Sequence, residues 1–510
     1  MTRTRAHYLL AIVAGAASPL AFAPFNQFWL APLSYAALLY VWSGATPRRA
    51  FGLGLAYGCA SFGLGTYWTY IAVRIIGQAP VFVGVTLTVG LVVVLAAFIA
   101  VAGFAAARAF RTSGAVAWLA TVPALFVLTE WLRGWLFTGF GWLAAGYSQT
   151  DSWLMGYAPL GGIHLMSSAV LVTAGALLTL WLGSRRERAV AAIVIAAVWL
   201  GGLALRGRDF TEPKETPLEV ALATAAVPQV TKYDPAQLEP TLALYAELTR
   251  QGAGADLIIW PEAAIPIPIE LVSGWLETVR RQAAERGSTL VLGALRTVPA
   301  AGGDATETYE NVVLALTDEP QVYVKRHLVP FGEFYPVPDF VRNWMRLMNL
   351  PYIDLAVGAD DQPLLAVAGE RLGVTICYED VFGAEQLRHL ADTTLLVNVS
   401  NDGWFGESIA IPQHLQIARV RAAEAGRYLV RAANRGITAV IDPHGRLVDT
   451  IEPFHAGVLK ATVRGYTGAT PYARIGDWLV VVAAMAALLA VRAASLRRAT
   501  PASADLRAAR

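Results

Sequence analysis

Three side chains of complementary chemistry stand at or just past the ends of apolar runs. Cys377 closes RLGVTIC, Lys325 closes VYVK, and Glu262 follows LIIWP. A thiol, an ammonium and a carboxylate suffice for covalent attack on a carbonyl. The carboxylate takes the thiol proton and relays protons to the attacking and leaving groups. The ammonium lowers the thiol pKa and steadies the oxyanion that attack creates. The immediate surroundings of Cys377 argue the other way. Tyr378, Glu379 and Asp380 follow it directly, and neighbouring carboxylates raise a thiol's pKa. Lys325 is the group expected to offset them. Spacing alone leaves the alternatives open: Glu262 and Lys325 as solvated strand-end residues, Cys377 as a buried apolar filler.

The elements that must position these residues can be read from periodicity. Short β-rich runs (LEVALATA, ADLIIW, STLVLGA, ENVVLALTD, VYVK, RLGVTIC, TTLLVNVS, GITAVID) alternate with helical patterns such as QLEPTLALYAELTRQG and ELVSGWLETVRRQAAERG. Alternation of this kind predicts an α/β layered domain. Side chains at strand ends in such domains leave the sheet and face a crevice. PQHLQIARVRAAEAGRY is predicted helical, with Pro412 in its first turn.

The rest of the chain is of a different kind. Of 510 residues 55% are hydrophobic and 15% charged, against about 25% charged in soluble domains. Apolar windows of spanning length, roughly 17 to 25 residues, fall at about 7–23, 27–44, 51–76, 79–107, 115–137, 163–183 and 189–205, with an eighth at 477–495. The reading is a seven-span region over 1–216, an α/β domain over 217–464, and a final span with a basic tail over 465–510. The opening segment could pass for a secretory signal cleaved after Ala21-Phe22-Ala23. Pro24 disfavours the cut, so it is read as a retained span. Arginines cluster in alternate loops, at Arg3 and Arg5, Arg48 and Arg49, Arg108 and Arg111, Arg185, Arg186 and Arg188, and after the last span at Arg497, Arg498, Arg507 and Arg510. By the positive-inside rule both termini are cytoplasmic and the α/β domain is exported, in a bacterium to the periplasmic face of the inner membrane. A net charge of +2 gives no reason to expect nucleic acid. Two cysteines cannot make a disulfide framework, and Cys59 reads as a small buried hydrophobe.

IIWPEAAIP, VYVKRHLVPFGEFYP and TICYEDVFG resemble the three motifs of the nitrilase superfamily, whose triad is Glu, Lys and Cys. NVSNDGWFGESIAIPQHLQIARVRAAEAGRYLVRAANRGITAVIDPHG and the membrane stretch LTEWLRGWLFTGFGWLAAGYSQ are similar to one branch, the bacterial apolipoprotein N-acyltransferases. The resemblance covers essentially the whole chain. It implies an α-β-β-α sandwich inserted between spans seven and eight of a helical membrane bundle. It also implies transfer of a fatty acyl chain from a phospholipid, typically phosphatidylethanolamine, to the N-terminal amine of a diacylated apolipoprotein through a Cys thioester. Carried over, Cys377 is the nucleophile, Glu262 the general base and Lys325 the oxyanion-stabilising cation. Glu333 helps to hold the lysine, and Tyr378 and Glu379 flank the nucleophile. Trp404, with Phe405, sits in a Gly-flanked loop readable as an apolar lid or as a core-packed pair. The chain departs from the family pattern at Thr224, Ala226 and Tyr233, where Gln, Asn and Trp are common, and at Gly141 in GFGW; Tyr233 puts substrate contact at the mouth in doubt.

No cofactor or metal is expected. His327 and His414, with Glu262, Glu379 and Asp380, lack a ligand-motif spacing. Glu130 and Arg133 share a helix face and read as a structural ion pair in preference to a headgroup contact. Arg419, Arg421, Arg427 and Arg431 are taken as helical, forming a solvated face or internal ion pairs in preference to a lipid-phosphate patch. A monomer is expected. Two other classes compete: a membrane-tethered amidase using the same triad, which does not need seven preceding spans, and a transporter or receptor, which leaves the three motifs unexplained.

Overall fold

The strands are apolar on both faces because both faces of each sheet are covered. In the computed structural model, which describes residues 3–110, 112–298, 308–337 and 354–499, the chain divides into two compact units. One runs to Tyr70, resumes over Pro80–Arg208 and again from Ile475; the other joins Ile71–Ala79 to Asp209–Arg474. Arg111, Arg507 and Arg510, used above for orientation, lie outside the described residues.

Among the described residues the second unit holds twelve strands in two six-stranded sheets. The first comprises β1 (Thr211–Thr224), β2 (Leu257–Trp260), β3 (Thr289–Val298), β4 (Thr308–Ala315), β5 (Gln321–Val324) and β12 (Gly457–Gly468) in the order β12-β1-β2-β3-β4-β5. The second comprises β6 (Leu365–Val367), β7 (Glu370–Ile376), β8 (Leu395–Asn401), β9 (Leu429–Asn434), β10 (Thr438–Ile441) and β11 (Leu447–Ile451) in the order β11-β10-β9-β8-β7-β6. Strand side chains alternate between faces. Leu257 and Ile259 therefore join Leu372, Ile376, Leu395, Val397 and Val430 in the core between the sheets. Ile258 and Trp260 point the other way, to the cluster that holds Tyr245, Leu248, Leu276 and Val279 of helices Leu238–Gly252 and Ser273–Ala284. Leu396 similarly faces Leu415 and Ala418 of helix Ala410–Ala425. The result is four layers, α-β-β-α. Antiparallel β1 and β12 bring the unit's first and last strands side by side.

Among the described residues of the other unit four helical stretches are long and apolar enough to cross a membrane, Val81–Ala109, Trp153–Leu182, Arg185–Leu205 and Trp478–Arg497. Phe82, Ile193, Leu200 and Leu489 are exposed on them, as a lipid-facing surface requires. Helices Arg3–Ala17, Leu30–Trp42, Pro47–Gly65 and Val122–Arg133 fall in the remaining apolar windows. The window at 51–76 is not one helix. It stops at Gly65, where the Thr66 hydroxyl turns back to the Phe62 carbonyl (2.7 Å). Ile71–Ile76 forms a separate wide turn that belongs to the α/β unit. Gly54 and Gly58 lie one turn apart on Pro47–Gly65, and a Cβ there would come within 2.9 Å of the Ala100 Cα and 2.7 Å of the Ala96 Cα. This is the small-residue packing that lets membrane helices approach closely. Glu130 and Arg133 stand 4.0 Å apart and act locally. Arg133 donates to the carbonyls of Phe140 and Trp142 (2.7 Å each), while Glu130 accepts the Ala145 N–H (2.9 Å).

Ile259→Ala, at a site with no exposure, is expected to destabilise the α/β unit by about 2–5 kcal/mol. Leu447→Ala, at an exposed position of β11, should stay within about 0.5 kcal/mol. Thermal unfolding of the full-length protein in detergent separates the two.

Candidate active site

A lysine side chain with no solvent exposure must find opposite charge. The Lys325 Nζ has it on two sides, 3.2 Å from Glu262 Oε1 and 2.7 Å from Glu333 Oε1. The strand directions explain the meeting. β2 runs parallel to β3, and β5, two antiparallel steps from β3, runs the same way. Glu262 and Lys325, which follow β2 and β5, therefore emerge at one edge of the sheet. Asn311 of β4 completes the set, donating from Nδ2 to Glu262 Oε1 (2.7 Å) and to Glu333 Oε1 (3.2 Å). Glu333 is itself held by the Val329 N–H (2.8 Å).

Cys377 directly follows β7 of the second sheet and is buried, with φ 51°. That left-handed conformation is unfavourable for a residue with a Cβ by about 1–2 kcal/mol. Two carboxylates lock the turn that follows. Glu379 does not face the thiol; it braces two loops. Its Oε1 accepts the N–H groups of Arg326 (2.7 Å) and His327 (3.2 Å), and its Oε2 accepts the Ile376 N–H (2.7 Å) and the Tyr323 hydroxyl (3.1 Å). One buried carboxylate thus ties the segment carrying Lys325 to the strand carrying Cys377. Asp380 turns away to His414 Nε2 (3.0 Å) and Arg431 Nη1 (3.3 Å).

The resting charges follow. Burial alone would push the Lys325 ammonium down, but Glu262, Glu333 and Cys377 carry it well above the ordinary lysine value. Burial would push the Glu262 carboxyl up; Lys325, Asn311 and Lys232 hold it below the usual carboxylate range. The Cys377 thiol is driven well above its ordinary value, by burial first and Glu262 second, with Lys325 and the nearby Ser400 hydroxyl offsetting only part. Glu379 and Asp380 are not among the leading causes. The thiol therefore rests neutral, with the charged Glu–Lys pair within electrostatic reach.

Tyr378 is buried against His327 and Phe382, with ring centroids 5.8 and 5.0 Å away. Trp404 and Phe405, adjacent in the Gly-flanked loop, part company. Trp404 is exposed at 38% and Phe405 meets the His414 ring edge-on at 5.9 Å. Tyr233 is exposed, as are Val230 and Phe331. Two residues escape a reading of the sequence: Asn311, whose only signal is a polar side chain inside an apolar strand, and Lys232. The Lys232 Nζ is buried 3.4 Å from the Glu262 carbonyl oxygen, and burial lowers it to about 8 against the pull of Glu262 and Cys377. Arg421, Arg427 and Arg431 are buried and Arg419 is half-buried, and not all four are helical. The helix ends at Ala425, Arg427 follows Gly426 (φ 63°), and Arg431 lies in β9. Arg427 donates to the carbonyls of Ala425 (2.6 Å) and Gly468 (2.7 Å), and Arg421 pairs with Glu424. Among the described residues no cluster of His, Cys, Asp and Glu could hold a metal ion.

Two family models match the chain: the apolipoprotein N-acyltransferase N-terminal domain over residues 14–176 and the carbon–nitrogen hydrolase over 220–472. The apolipoprotein N-acyltransferase of Methylococcus capsulatus is 40% identical over 471 residues, 92% of this chain and 92% of that protein. The one from Azotobacter vinelandii is 40% identical over 495 residues, 96% and 95% of the two chains. A carbon–nitrogen hydrolase from Helicobacter pylori, 15% identical, aligns with 48% of this chain and 89% of its own at a TM-score of 0.37. With such identity along nine-tenths of both sequences, and with both halves matched, the chain belongs to the apolipoprotein N-acyltransferase family.

Proposed function

We infer that this enzyme acylates lipoproteins, moving a fatty acyl chain from a phospholipid to the N-terminal amine of a diacylglyceryl-cysteine through a thioester on Cys377. The observation that carries the roles is the charged Glu262–Lys325–Glu333 set within electrostatic reach of the Cys377 thiol; membership of the family supplies the substrates. In the first half-reaction Glu262 takes the thiol proton as sulfur bonds to the ester carbonyl carbon. Lys325 faces the oxyanion, and Glu333 holds Lys325 in place. Collapse breaks the carbon–oxygen bond to glycerol, and Glu262 returns the proton to the departing oxygen. In the second, the lipoprotein amine attacks the thioester and gives its proton to Glu262. The carbon–sulfur bond breaks, and the sulfur recovers the proton. Amide formation from a thioester is downhill and needs no ATP.

The donor in this reading is phosphatidylethanolamine. The α/β domain, 217–464, is inserted between spans seven and eight on the periplasmic face of the bacterial inner membrane, with both termini cytoplasmic and the enzyme monomeric. Apolar windows and alternating basic loops support that topology. Lipid anchoring of both substrates gives the spans a purpose, since one span would tether an amidase. Exposed Val230, Tyr233, Phe331 and Trp404 are suited to meet an acyl chain.

Incubation with phosphatidylethanolamine should add a palmitoyl-sized mass to Cys377, discharged by a diacylglyceryl peptide with a free amine. An unmodified Cys377 together with ammonia release from small amides points instead to a tethered amidase. Because the thiol pKa is raised, its neutral form persists to higher pH. Without donor, iodoacetamide should therefore react with Cys377 at a rate rising about tenfold per pH unit from 7 to 9; a plateau near pH 7 shows a preformed thiolate and overturns the charge assignment. Glu379→Gln turns an NH2 toward backbone donors. It should lower stability by about 1.5–3 kcal/mol and slow acyl-enzyme formation at least tenfold, read by thermal unfolding and single-turnover labelling.

A further inference from the structure

Beneath the nucleophile lies a buried polar cluster that the acyl-transfer chemistry does not use. His414, Asp380, Asp402 and Arg431 all have no solvent exposure, and they come from four elements: the helix Ala410–Ala425, the turn after Cys377, the turn after β8, and β9. The His414 Nδ1 stands 2.9 Å from Asp402 Oδ1 and 2.8 Å from Arg431 Nη2. Arg431 reaches Asp402 Oδ2 (2.9 Å) and Asp380 Oδ2 (3.3 Å), and the Ser400 hydroxyl donates to Asp402 Oδ1 (2.7 Å). The other ring nitrogen, Nε2, faces two acceptors, Asp380 Oδ1 at 3.0 Å and the Cys377 carbonyl oxygen at 3.3 Å.

Two acceptors facing Nε2 require a hydrogen there. Nδ1 can either accept from Arg431 or donate to Asp402, and Nε2–H is common to both states. Burial and Arg431 press the imidazole down, while Asp380 and Asp402 raise it to about 9, which favours the doubly protonated ring at neutral pH.

The acceptor that matters is the Cys377 carbonyl. Cys377 holds φ 51°, and strained backbone of this kind persists only where its surroundings over-determine it. Glu379 fixes the approach to it one peptide upstream, through the Ile376 N–H. His414 grips the amide after it, from a different element. Because the peptide is planar, that grip also fixes the direction of the Tyr378 N–H.

We propose that His414 is a positioning residue for acyl transfer, pinning the main chain of Cys377 through Nε2–H so that the sulfur meets the ester carbonyl in line. The inference rests on Cys377 as the acylated residue. Asp402 and Arg431 orient the imidazole, and Asp380 shares its Nε2 hydrogen in a three-centre bond.

The test uses full-length enzyme in detergent, with rates expressed per Cys377 thiol titrated by iodoacetamide. His414→Ala should lower single-turnover acylation by phosphatidylethanolamine about 100-fold, the effect of an ångström-scale misplacement, with the KM for phospholipid within about threefold. His414→Gln, which keeps an N–H donor, should recover at least part of that loss. A merely structural histidine lowers the yield of folded enzyme and leaves the rate per titrated thiol unchanged, and that result overturns the proposal. Should neither variant fold, 15N NMR of histidine-labelled wild type decides: His414 Nε2 must carry hydrogen, and a bare Nε2 overturns the assignment. If wild type forms no acyl-Cys377, the nucleophile assignment fails instead, a result distinct from equal rates in wild type and variant.

Discussion

The ammonium of Lys325, fully withdrawn from water, is the constraint around which the site is built. A lone buried charge is far too unfavourable to persist. Two carboxylates at 3.2 and 2.7 Å offset the loss of hydration, and Asn311 bonds both. Any backbone that carries this lysine must also deliver Glu262 and Glu333 to it. The sandwich meets that demand through strand direction, since β2 and β5 point to the same edge. The second sheet brings Cys377 up from β7, and Glu379 fastens the two together through hydrogen bonds from both sides. The order of dependence is charge pairing first, then sheet topology, then the placement of Cys377.

Strand-end chemistry is legible in the sequence because a polar residue that closes an apolar run marks the point where a buried strand leaves its sheet. Cys377, Lys325 and Glu262 are such residues. The layering is legible too, since runs such as LIIW are apolar at every position and demand cover on both faces. Asn311 and β9 are not. β9 reads LVRAAN, and its Arg431 and Asn434 hide the strand by pointing to buried partners, Arg431 to Asp402 and Asn434 to Asn401. Periodicity sees apolar faces and is blind to a buried polar one, so it extends the helix too far and carries two arginines onto it. The same limit applies to the apolar window at 51–76, where hydropathy registers composition but not the point at which the backbone leaves the helix.

The adjacent acids are the clearest case of spacing without direction. Next to Cys377 in the sequence, Glu379 and Asp380 look equally damaging to a thiol. In the fold their side chains part. Glu379 spends its oxygens on three backbone N–H groups and a tyrosine, and Asp380 faces a guanidinium and an imidazole. The group that chiefly opposes thiolate formation, after burial, is Glu262, the very residue assigned to remove the proton. In the proposed reaction base and thiol thus hold one proton between them, and its passage from sulfur to carboxylate relocates the negative charge without changing the total.

A neutral resting thiol suits the compartment assigned to it. Oxidation follows thiolate character and exposure, and an exported domain meets an oxidising environment. A preformed thiolate beside a lysine would be vulnerable there between turnovers. Burial of Cys377 with its proton in place removes both conditions for damage. In the proposed reaction the cost is borne in the transition state, where proton transfer must accompany sulfur attack. That makes the sulfur's position decisive. A thiolate attacks from any orientation that brings it near, whereas a thiol must present its hydrogen to Glu262 and its lone pair to the ester carbon at once. A fixed φ of 51°, braced by Glu379 before the turn and His414 below it, is the geometry such a requirement selects.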